Sequence, residues 1–382
     1  MLELDCGLAF DPASADDFFS LLPPRPAVCL IEPHDANAQP FLIRTQDLRR
    51  RLERLLGSLD PASKRLNLSA FAQGIRYRLT GSPFEQVLTY YLHAKTHFPG
   101  RYQKIMRLRP PAILKVNTKN TYPRCYATRR IMVDADGVPI AGSYYGPFAS
   151  RKAARQFAES ALDFFKVRRC QIRIRRDPSF PGCIYSEMKM CLAPCFAGCT
   201  VEEYAVEVQR LVQFLETGGS SLRSTLERER ERASEDLDFE KASTLHKRIE
   251  KLDEALRGSP DVARKIQDLD AVILQCAAED QTIISYGVRG GWLLEPLFLR
   301  FAEIASQPRS AEQILRGYLE AGGPPRIAGE LSEHLWMLAR WFYSNPRSGE
   351  IFFREKDWPY RRILRACSRL LAPKSAESAN PG

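Results

Sequence analysis

The sequence predicts an α+β chain built from several small units, on the basis of three patterns. Short apolar runs alternate with helical patterns up to about residue 148. The run 222–257 contains no glycine or proline, and its apolar residues recur every three or four positions, which is typical of paired helices. Strand-like runs then resume near Ala271. A length of 382 residues is sufficient for two or three domains, each with its own core.

The sequence pattern of the first region, up to about residue 165, predicts strands and helices in alternation. Residues 1–24 show no clear pattern, whereas residues 27–31 and 40–44 read as two buried strands joined by a polar turn. Asp47 is a candidate N-cap for a helix that ends near Leu56. The later elements are predicted as a strand at 75–79, a helix at 83–95, strands at 112–115 and 124–129, a hairpin turn at 134–139 and a helix at 150–165.

The sequence pattern of the second half of the chain predicts helices followed by a further sheet. Thr200 and Glu203 form a possible capping box for a helix through Glu216, and Asp238 is a candidate cap for the second arm of a helical hairpin. The elements after the linker 258–260 are predicted as strands at 271–277, 282–289 and 292–298, and as helices at 311–319 and 331–343. His334 is interpreted as structural, and the tail from Pro373 is expected to be disordered.

Composition narrows the class of partner. A net charge of +10 and a pI of about 9.1 favour a polyanionic partner, for which nucleic acid is the natural candidate. No apolar run reaches the ~20 residues that a membrane span requires, so we expect no membrane partner. Ten cysteines without a recognisable secretory signal indicate a reducing, cytoplasmic location.

The stretch 166–200 contains five of the ten cysteines. Gaps of twelve, seven and three residues separate Cys170, Cys183, Cys191 and Cys195. Four thiolates around one soft centre suit iron–sulfur or zinc. The alternative is a set of ordinary cysteines that pack as small hydrophobic side chains in a loop-rich segment.

Three runs in this part of the chain carry a family resemblance. YYGPF at 144–148, FFKVRRC at 164–170 and CIYSEMKMCLAPC at 183–195 resemble the middle of UvrC, the nuclease subunit of bacterial nucleotide excision repair. The resemblance implies that the four cysteines hold a [4Fe-4S] cluster, with Cys199 as a spare thiol and zinc as the alternative metal. It also implies DNA as a partner.

The resemblance divides the chain into four parts. They are a degenerate GIY-YIG-like α/β domain at 25–105, a strand and helix extension with the cysteine-rich helical middle at 106–216, a UVR helical hairpin at 217–257 and a UvrC-like C-terminal α/β region at 265–372. The last part is expected to lack a nuclease centre. We further expect the family's RNase H-like nuclease domain and its helix–hairpin–helix modules to be absent.

The first domain departs from the family's catalytic pattern. In GIY-YIG nucleases two tyrosines, an arginine and a metal-binding glutamate carry the cut. Here Cys29 and Phe41 stand at the tyrosine positions and Tyr90 at the glutamate position, while Arg51 matches the arginine. We therefore expect no intact catalytic site. The alternative is an active structure-specific endonuclease that has rebuilt its site around Arg51 and Glu85, and only this alternative requires magnesium.

Two groups of arginines are candidate DNA contacts. Phosphate contacts of this kind position a nucleic acid without reading its sequence. The candidates are Arg49, Arg50, Arg51, Arg168, Arg169, Arg173, Arg175 and Arg176. The first three could instead form a solvated helix face, and the others could offset the negative charge of a thiolate centre.

The run 233–252, ASEDLDFEKASTLHKRIEKL, resembles the UVR motif that UvrB and UvrC share. The resemblance implies that this hairpin binds a UvrB-like partner. The residues expected to contact it are Leu237, Phe239, Glu240, Lys241, Ala242, Leu245 and Ile249. One alternative is a coiled coil that packs only on its own chain, and another is a zinc-containing adaptor outside DNA repair.

Overall fold

A computed structural model describes residues 2–58, 64–323, 327 and 329–372. It confirms a mixed α and β architecture. Three antiparallel sheets are present in this part of the chain, and helices pack against each of them. The tail expected to be disordered, from Pro373 onward, lies outside the described residues.

The first sheet has the strand order β1-β4-β2-β3. The elements of this region are β1 Cys6–Ala9, α1 Ala15–Ser20, β2 Ala27–Pro33, β3 Phe41–Thr45, α2 Leu48–Leu56, β4 Ala72–Leu79, α3 Pro83–His97 and α4 Tyr102–Met106. Alternation along β2 explains the two cores of the region, because neighbouring strand residues point to opposite faces. Cys29 and Ile31 pack with α1 and α2, whereas Val28 and Leu30 pack with the end of α3.

The expectation that residues 1–24 are unpatterned is wrong. β1 pairs with β4 in antiparallel register, from Cys6 opposite Tyr77 to Ala9 opposite Gly74. Phe18 and Phe19 of α1 are buried against α2. The pairing joins strands about seventy positions apart in the sequence, so it cannot be predicted from local periodicity.

The middle region is a second sheet, in the order β6-β5-β7-β8, covered by helices. Its elements are β5 Ala112–Val116, β6 Cys125–Thr128, β7 Ser143–Phe148, α5 Arg151–Leu162, α6 Ile184–Glu187 and α7 Val201–Glu216, and the short β8 Arg264–Lys265 follows later in the chain. The predicted capping box is confirmed, since Thr200 accepts from the Glu203 amide at 3.1 Å and Glu203 accepts from the Thr200 amide at 2.8 Å. The loop between α5 and α7 carries the cysteine stretch.

The helical hairpin is confirmed as α8 Ser220–Glu235 and α9 Phe239–Arg257. Asp238 caps α9 by accepting the Lys241 amide at 3.0 Å. The two arms share one apolar core with α5, α7 and the second sheet. Leu226 and Leu252, which are buried in that core, fix the hairpin to the rest of the chain.

The C-terminal region contains a third sheet in the order β11-β10-β9-β13, with β12 paired to the same edge of β10 as β11. Its elements are β9 Ala271–Cys276, β10 Thr282–Arg289, β11 Trp292–Leu293, β12 Leu297–Arg300, α10 Phe301–Ile304, α11 Ala311–Glu320, α12 Glu330–Phe342, β13 Glu350–Phe353 and α13 Tyr360–Leu371. α12 covers one face, and α11 and α13 cover the other. The single strand predicted at 292–298 is therefore two short strands.

α3 connects the first region to the third sheet. Phe84, Leu88 and Tyr91 on this helix lie in the same apolar cluster as β9, β10 and α12. Polar contacts reinforce the junction, since Ser82 donates to Gln275 at 2.6 Å and Tyr91 donates to Glu333 at 2.7 Å. A search of the described residues for a helix long and apolar enough to cross a membrane finds none.

Candidate functional site

The residues at the family's catalytic positions do not converge in the first region. Cys29 is fully buried in the core beneath α2, and Phe41 packs against the same core. Tyr90 packs on the opposite face of the sheet, beside Leu42 and Phe98. The structure therefore brings Cys29 and Phe41 together and holds Tyr90 apart from both.

Neither Cys29 nor Tyr90 offers a reactive group at neutral pH. Burial raises the pKa of the Cys29 thiol far above its usual range. Burial also raises the pKa of the Tyr90 hydroxyl, although the nearby Arg44 charge opposes that shift. The Arg44 guanidinium lies 5.7 Å from the centre of the Tyr90 ring, which is the distance of a cation–π contact.

Glu85, the carboxylate of the alternative active site, is held in an internal contact. Its side chain is 1 % exposed, accepts the Gly81 amide at 2.7 Å and lies 3.3 Å from the Arg78 guanidinium. Burial raises the pKa of this carboxyl, while the Gly81 amide and Arg78 oppose that shift. Arg78 is also paired with Asp5 at 3.0 Å. A carboxylate with these partners cannot reach a metal ion without losing them.

The three arginines of α2 have different surroundings. Arg49 donates to the carbonyls of Leu22 at 2.6 Å and Ser20 at 3.2 Å, so it ties α2 to the segment after α1. Arg50 is exposed, and Arg51 is partly exposed. Among these candidates, Arg50 and Arg51 are therefore better placed than Arg49 to contact a phosphate.

Arg168 is buried rather than presented to a polyanion. It is 7 % exposed, and its guanidinium donates to the carbonyls of Tyr122 at 2.9 Å and Ile172 at 3.0 Å. A charged group with this many internal acceptors is structural, because moving it to the surface would leave those acceptors unpaired. The placement removes Arg168 from the set of exposed phosphate contacts.

The other arginines of the cysteine stretch are divided between internal and exposed positions. Arg169 pairs with Asp163 at 2.8 Å, and Arg176 donates to the Cys199 carbonyl at 3.1 Å. Arg173, Arg175 and Arg176 are exposed. Of these three, Arg173 and Arg175 have no protein contact described above, whereas Arg176 is held by its bond to the Cys199 carbonyl.

The Cys191 thiol is influenced electrostatically by the other three cysteines of the predicted centre. The pKa of the Cys191 thiol is raised to about 11 by burial and by the charges of Cys170, Cys183 and Cys195, against the effect of the Ala193 amide. That amide donates to the Cys191 sulfur at 3.3 Å. Thiols that repel one another in this way are the donor set that a soft cation would stabilise as thiolates.

The described residues do not form a closed metal site at these cysteines. Across residues 2–58, 64–323, 327 and 329–372, no group of three or more His, Cys, Asp or Glu side chains is arranged to hold a metal ion. Cys199, the spare thiol, is buried in the core of the second sheet. Four cysteine sulfurs are nevertheless a donor set whose chemistry fits iron–sulfur or zinc.

The tip of the hairpin carries two exposed apolar side chains. Leu237 is 71 % exposed and Phe239 is 69 % exposed. Glu240 and Lys241 beside them are also exposed. Ala242 is half-buried in the chain's own core.

The remaining two residues of the predicted partner surface face inward. Leu245 and Ile249 are each 7 % exposed and belong to the core shared with α5 and α7. They hold the hairpin together, so the accessible part of the surface is its tip.

Sequence reasoning did not identify the part played by Tyr204. Its hydroxyl accepts the Arg168 amide at 3.0 Å and donates to the Pro123 carbonyl at 2.7 Å. The residue therefore fixes the start of the cysteine stretch on the second sheet. Its place on the inward face of α7, four positions before Val208, was the available signal.

Comparison with known proteins assigns two parts of the chain. Residues 112–214 match the family model for the UvrC/Cho excinuclease middle domain, and residues 220–255 match the model for the UvrB/uvrC motif. The first covers strands β5, β6 and β7 of the second sheet, the cysteine stretch and most of α7. The second covers the helical hairpin.

Curated relatives extend the match over more of the chain. UvrABC system protein C of Chlamydia caviae is 27 % identical over 291 residues, which cover 75 % of this chain and 47 % of the relative. The corresponding protein of Moorella thermoacetica is 25 % identical over 339 residues, 87 % of this chain and 54 % of the relative. That of Nitratidesulfovibrio vulgaris is 32 % identical over 179 residues, 47 % of this chain and 25 % of the relative.

The chain spans about half the length of the first two of these relatives. No solved structure matches it. The two family models and the curated relatives together support the assignment of the chain to the UvrC family.

Proposed function

We propose that this chain acts in nucleotide excision repair as a UvrC-like protein that binds DNA, docks on UvrB through the hairpin tip and does not itself cut DNA. The observation that carries the proposal is the exposure of Leu237 and Phe239 at the end of a hairpin matched by the UvrB/uvrC motif. The partner and the DNA substrate follow from the name of the relatives' system and from the charge of the chain.

The conformation of the tip supports a role in docking. Leu237 has a φ of +58°, a backbone conformation that disfavours side chains with a Cβ, and it is 71 % exposed. A leucine at such a position contributes little to the fold and costs stability. A partner that buries Leu237 and Phe239 together provides the compensating contact.

Exposed charges beside the tip would select the partner. Glu240 and Lys241 flank Phe239 on the solvent side of α9. Charged groups around an apolar anchor suppress wrong pairings and set the register of a helical interface. This arrangement matches the division of roles at many interfaces, where a few buried anchors supply most of the affinity.

DNA contact is assigned to the exposed arginines. Arg50, Arg51, Arg173 and Arg175 face solvent wholly or in part. Each phosphate that they neutralise would steepen the dependence of binding on salt by about 0.9 in a log–log plot for duplex DNA. Arg49 and Arg168 are left out of this assignment because their guanidiniums are bonded to carbonyls of the chain.

The lack of nuclease chemistry is inferred from the first region. Cys29 and Phe41 supply no phenol, and Tyr90 supplies no carboxylate ligand for a divalent cation. Glu85 is occupied by Arg78 and the Gly81 amide. We extend the proposal to the cysteine stretch, where Cys170, Cys183, Cys191 and Cys195 would hold an iron–sulfur cluster, with zinc as the alternative.

The test is capture of purified UvrB by the full chain and by Phe239→Ala. Truncating an exposed aromatic anchor should weaken binding by about 30-fold, the ~2 kcal/mol of an interface hot spot. Val206→Ala is the matched control, because Val206 is 58 % exposed on the neighbouring helix α7. Equal capture of UvrB by the wild type and by Phe239→Ala would rule out the tip as the docking surface.

A further inference from the structure

Two neighbouring cavities lie along α12. The larger has a volume of about 740 Å³ and lies between α12, the segment after it, and the start of α3. The smaller has a volume of about 250 Å³ and lies between α12 and the ends of the second sheet. Arg340 lines both cavities, so they are neighbours. We call the pair the α12 groove.

The described charged side chains that line the α12 groove are all positive. Arginines line both parts, and among the described residues no Asp or Glu side chain does so. Those of the larger cavity are Arg44, Arg340 and Arg347, and those of the smaller are Arg109, Arg129 and Arg340. A recessed surface of this kind concentrates a positive potential and attracts a polyanion.

Three of these arginines contact aromatic rings instead of carboxylates. Arg340 lies 5.5 Å from the Trp336 ring, Arg347 lies 5.4 Å from the Trp341 ring, and Arg44 lies 5.7 Å from the Tyr90 ring. Within the part of the chain that the structure describes, none of the three forms an ion pair within 4.0 Å. Their charges are available to an external anion.

The walls between these arginines are fixed by internal hydrogen bonds. Trp341 donates its indole N–H to the Ser348 carbonyl at 2.9 Å, which holds the segment after α12 in place. Gln86 donates to the Thr45 carbonyl at 2.7 Å, which holds the end of β3 against α3. The floor between them contains the buried side chains of Phe84 and Trp341. The groove is thus formed before any ligand arrives.

We propose that the α12 groove binds single-stranded DNA, with Arg340 and Arg347 on successive phosphates and Trp336 as a surface for a base. Basic grooves with interleaved aromatic rings are the recurring design of single-strand binding sites. A duplex is too wide to enter cavities of this size, whereas a single strand can place a phosphate at Arg347 in the larger cavity and a base in the smaller one, which Trp336 lines. This inference rests on the proposed function, because it names a DNA form and a site for the same repair role.

The test uses the full chain and a fluorescent oligothymidylate of about 12 nucleotides, within the site sizes of known single-strand binders. Arg340→Gln/Arg347→Gln should weaken its binding about tenfold or more and lower the salt slope by about 1.4, which is about 0.7 for each lost phosphate contact. Arg340→Lys/Arg347→Lys should recover most of that slope. Arg232→Gln, which removes an exposed charge from the hairpin, is the matched control and should bind as the wild type does.

Photocrosslinking with a thiothymidine-substituted strand gives an independent location. Crosslinks on α12 and the segment up to Ser348 support the inference, and crosslinks confined to the cysteine stretch overturn it. Wild-type affinity in the double glutamine variant also overturns it, as does competition by polyglutamate at the same concentration as oligothymidylate. If the chain binds duplex but not single strands, only this inference fails; if it binds neither, the DNA-binding part of the proposed function fails with it.

Discussion

The hairpin tip and the first region differ in whether their candidate functional side chains are exposed to solvent or bonded within the chain. At the tip, Leu237 and Phe239 are exposed although they are apolar. In the first region, Arg49, Arg78 and Glu85 are polar or charged, yet their groups are occupied by internal contacts. A surface that binds a partner keeps groups free at a cost in stability, whereas a scaffold uses them for its own fold. This contrast supports the proposal that the tip is the binding element and that the first sheet is a scaffold.

The largest expected effect concerns the cysteine stretch, which lies between these two regions. Cys195→Ser should abolish metal binding by the full chain, because a four-sulfur centre that loses one ligand is open to solvent. Anaerobic purification followed by a visible spectrum and by iron and zinc analysis measures this. Cys199→Ser is the control and should keep the metal. Equal metal content in both variants would show that Cys195 is not a ligand.

A second contrast lies within the hairpin itself. Leu252 is fully buried, so Leu252→Ala should lower the free energy of unfolding by about 3 kcal/mol. Leu237→Gly should raise it by about 0.5 kcal/mol, since glycine relieves the positive φ. Urea unfolding measures both. The same Leu237→Gly variant should capture UvrB more weakly, and a variant that is less stable but binds normally would contradict this account of the tip.

The junction between α3 and α12 should make stability depend on pH. Burial lowers the pKa of His334 from 6.5 to about 4, and its Nδ1 accepts the Leu293 amide at 3.1 Å. The unfolded chain therefore binds a proton at this residue first as the pH falls below 6.5, which favours unfolding. His334 should cost the fold about 3 kcal/mol of stability between neutral pH and pH about 4.

Substituting His334 tests that sign. The unfolding free energy of the wild type minus that of His334→Gln should fall by about 3 kcal/mol as the pH drops from neutral toward about 4. Some pH dependence will remain in the variant, because burial also lowers the pKa values of His93 and His97. A constant difference between the two proteins across this window would show that His334 does not titrate as described.

The smallest effect separates two neighbouring arginines of α2. Arg49→Gln should lower the free energy of unfolding by about 1 kcal/mol, because it removes the hydrogen bonds to Leu22 and Ser20. Arg50→Gln should leave stability within about 0.5 kcal/mol of the wild type, since Arg50 is exposed. Binding of duplex DNA should respond in the reverse order. Loss of DNA binding in Arg49→Gln alone would reverse these roles.

Features fixed by neighbours in the sequence could be predicted, and features fixed by distant contacts could not. The caps Asp47 and Asp238 each accept an amide three residues later, so a short pattern was sufficient to identify them. Arg168 could not be assigned in this way, because the carbonyl that receives its Nε lies at Tyr122, 46 positions away. Its run of basic neighbours favoured the phosphate interpretation, and only tertiary contacts reveal its burial.

The same limit applies to the candidate sites. The cysteine stretch and the hairpin are each continuous in sequence, so both can be recognised from the sequence alone. The α12 groove joins Arg44 at the end of β3 to Arg340 and Arg347, about three hundred positions later. No periodicity or spacing connects such residues. The arginines of a groove formed by several separate segments become a set only in the folded chain.

One measurement tests most directly the claim that the first region is a scaffold without cutting chemistry. A labelled damaged duplex is incubated with UvrA, UvrB, Mg²⁺ and the full chain, and strand incision is followed on a denaturing gel. The account predicts stable binding of the chain to the UvrB complex with no incision above that of UvrA and UvrB alone. Incision by the wild-type chain that disappears in Arg51→Ala would contradict it.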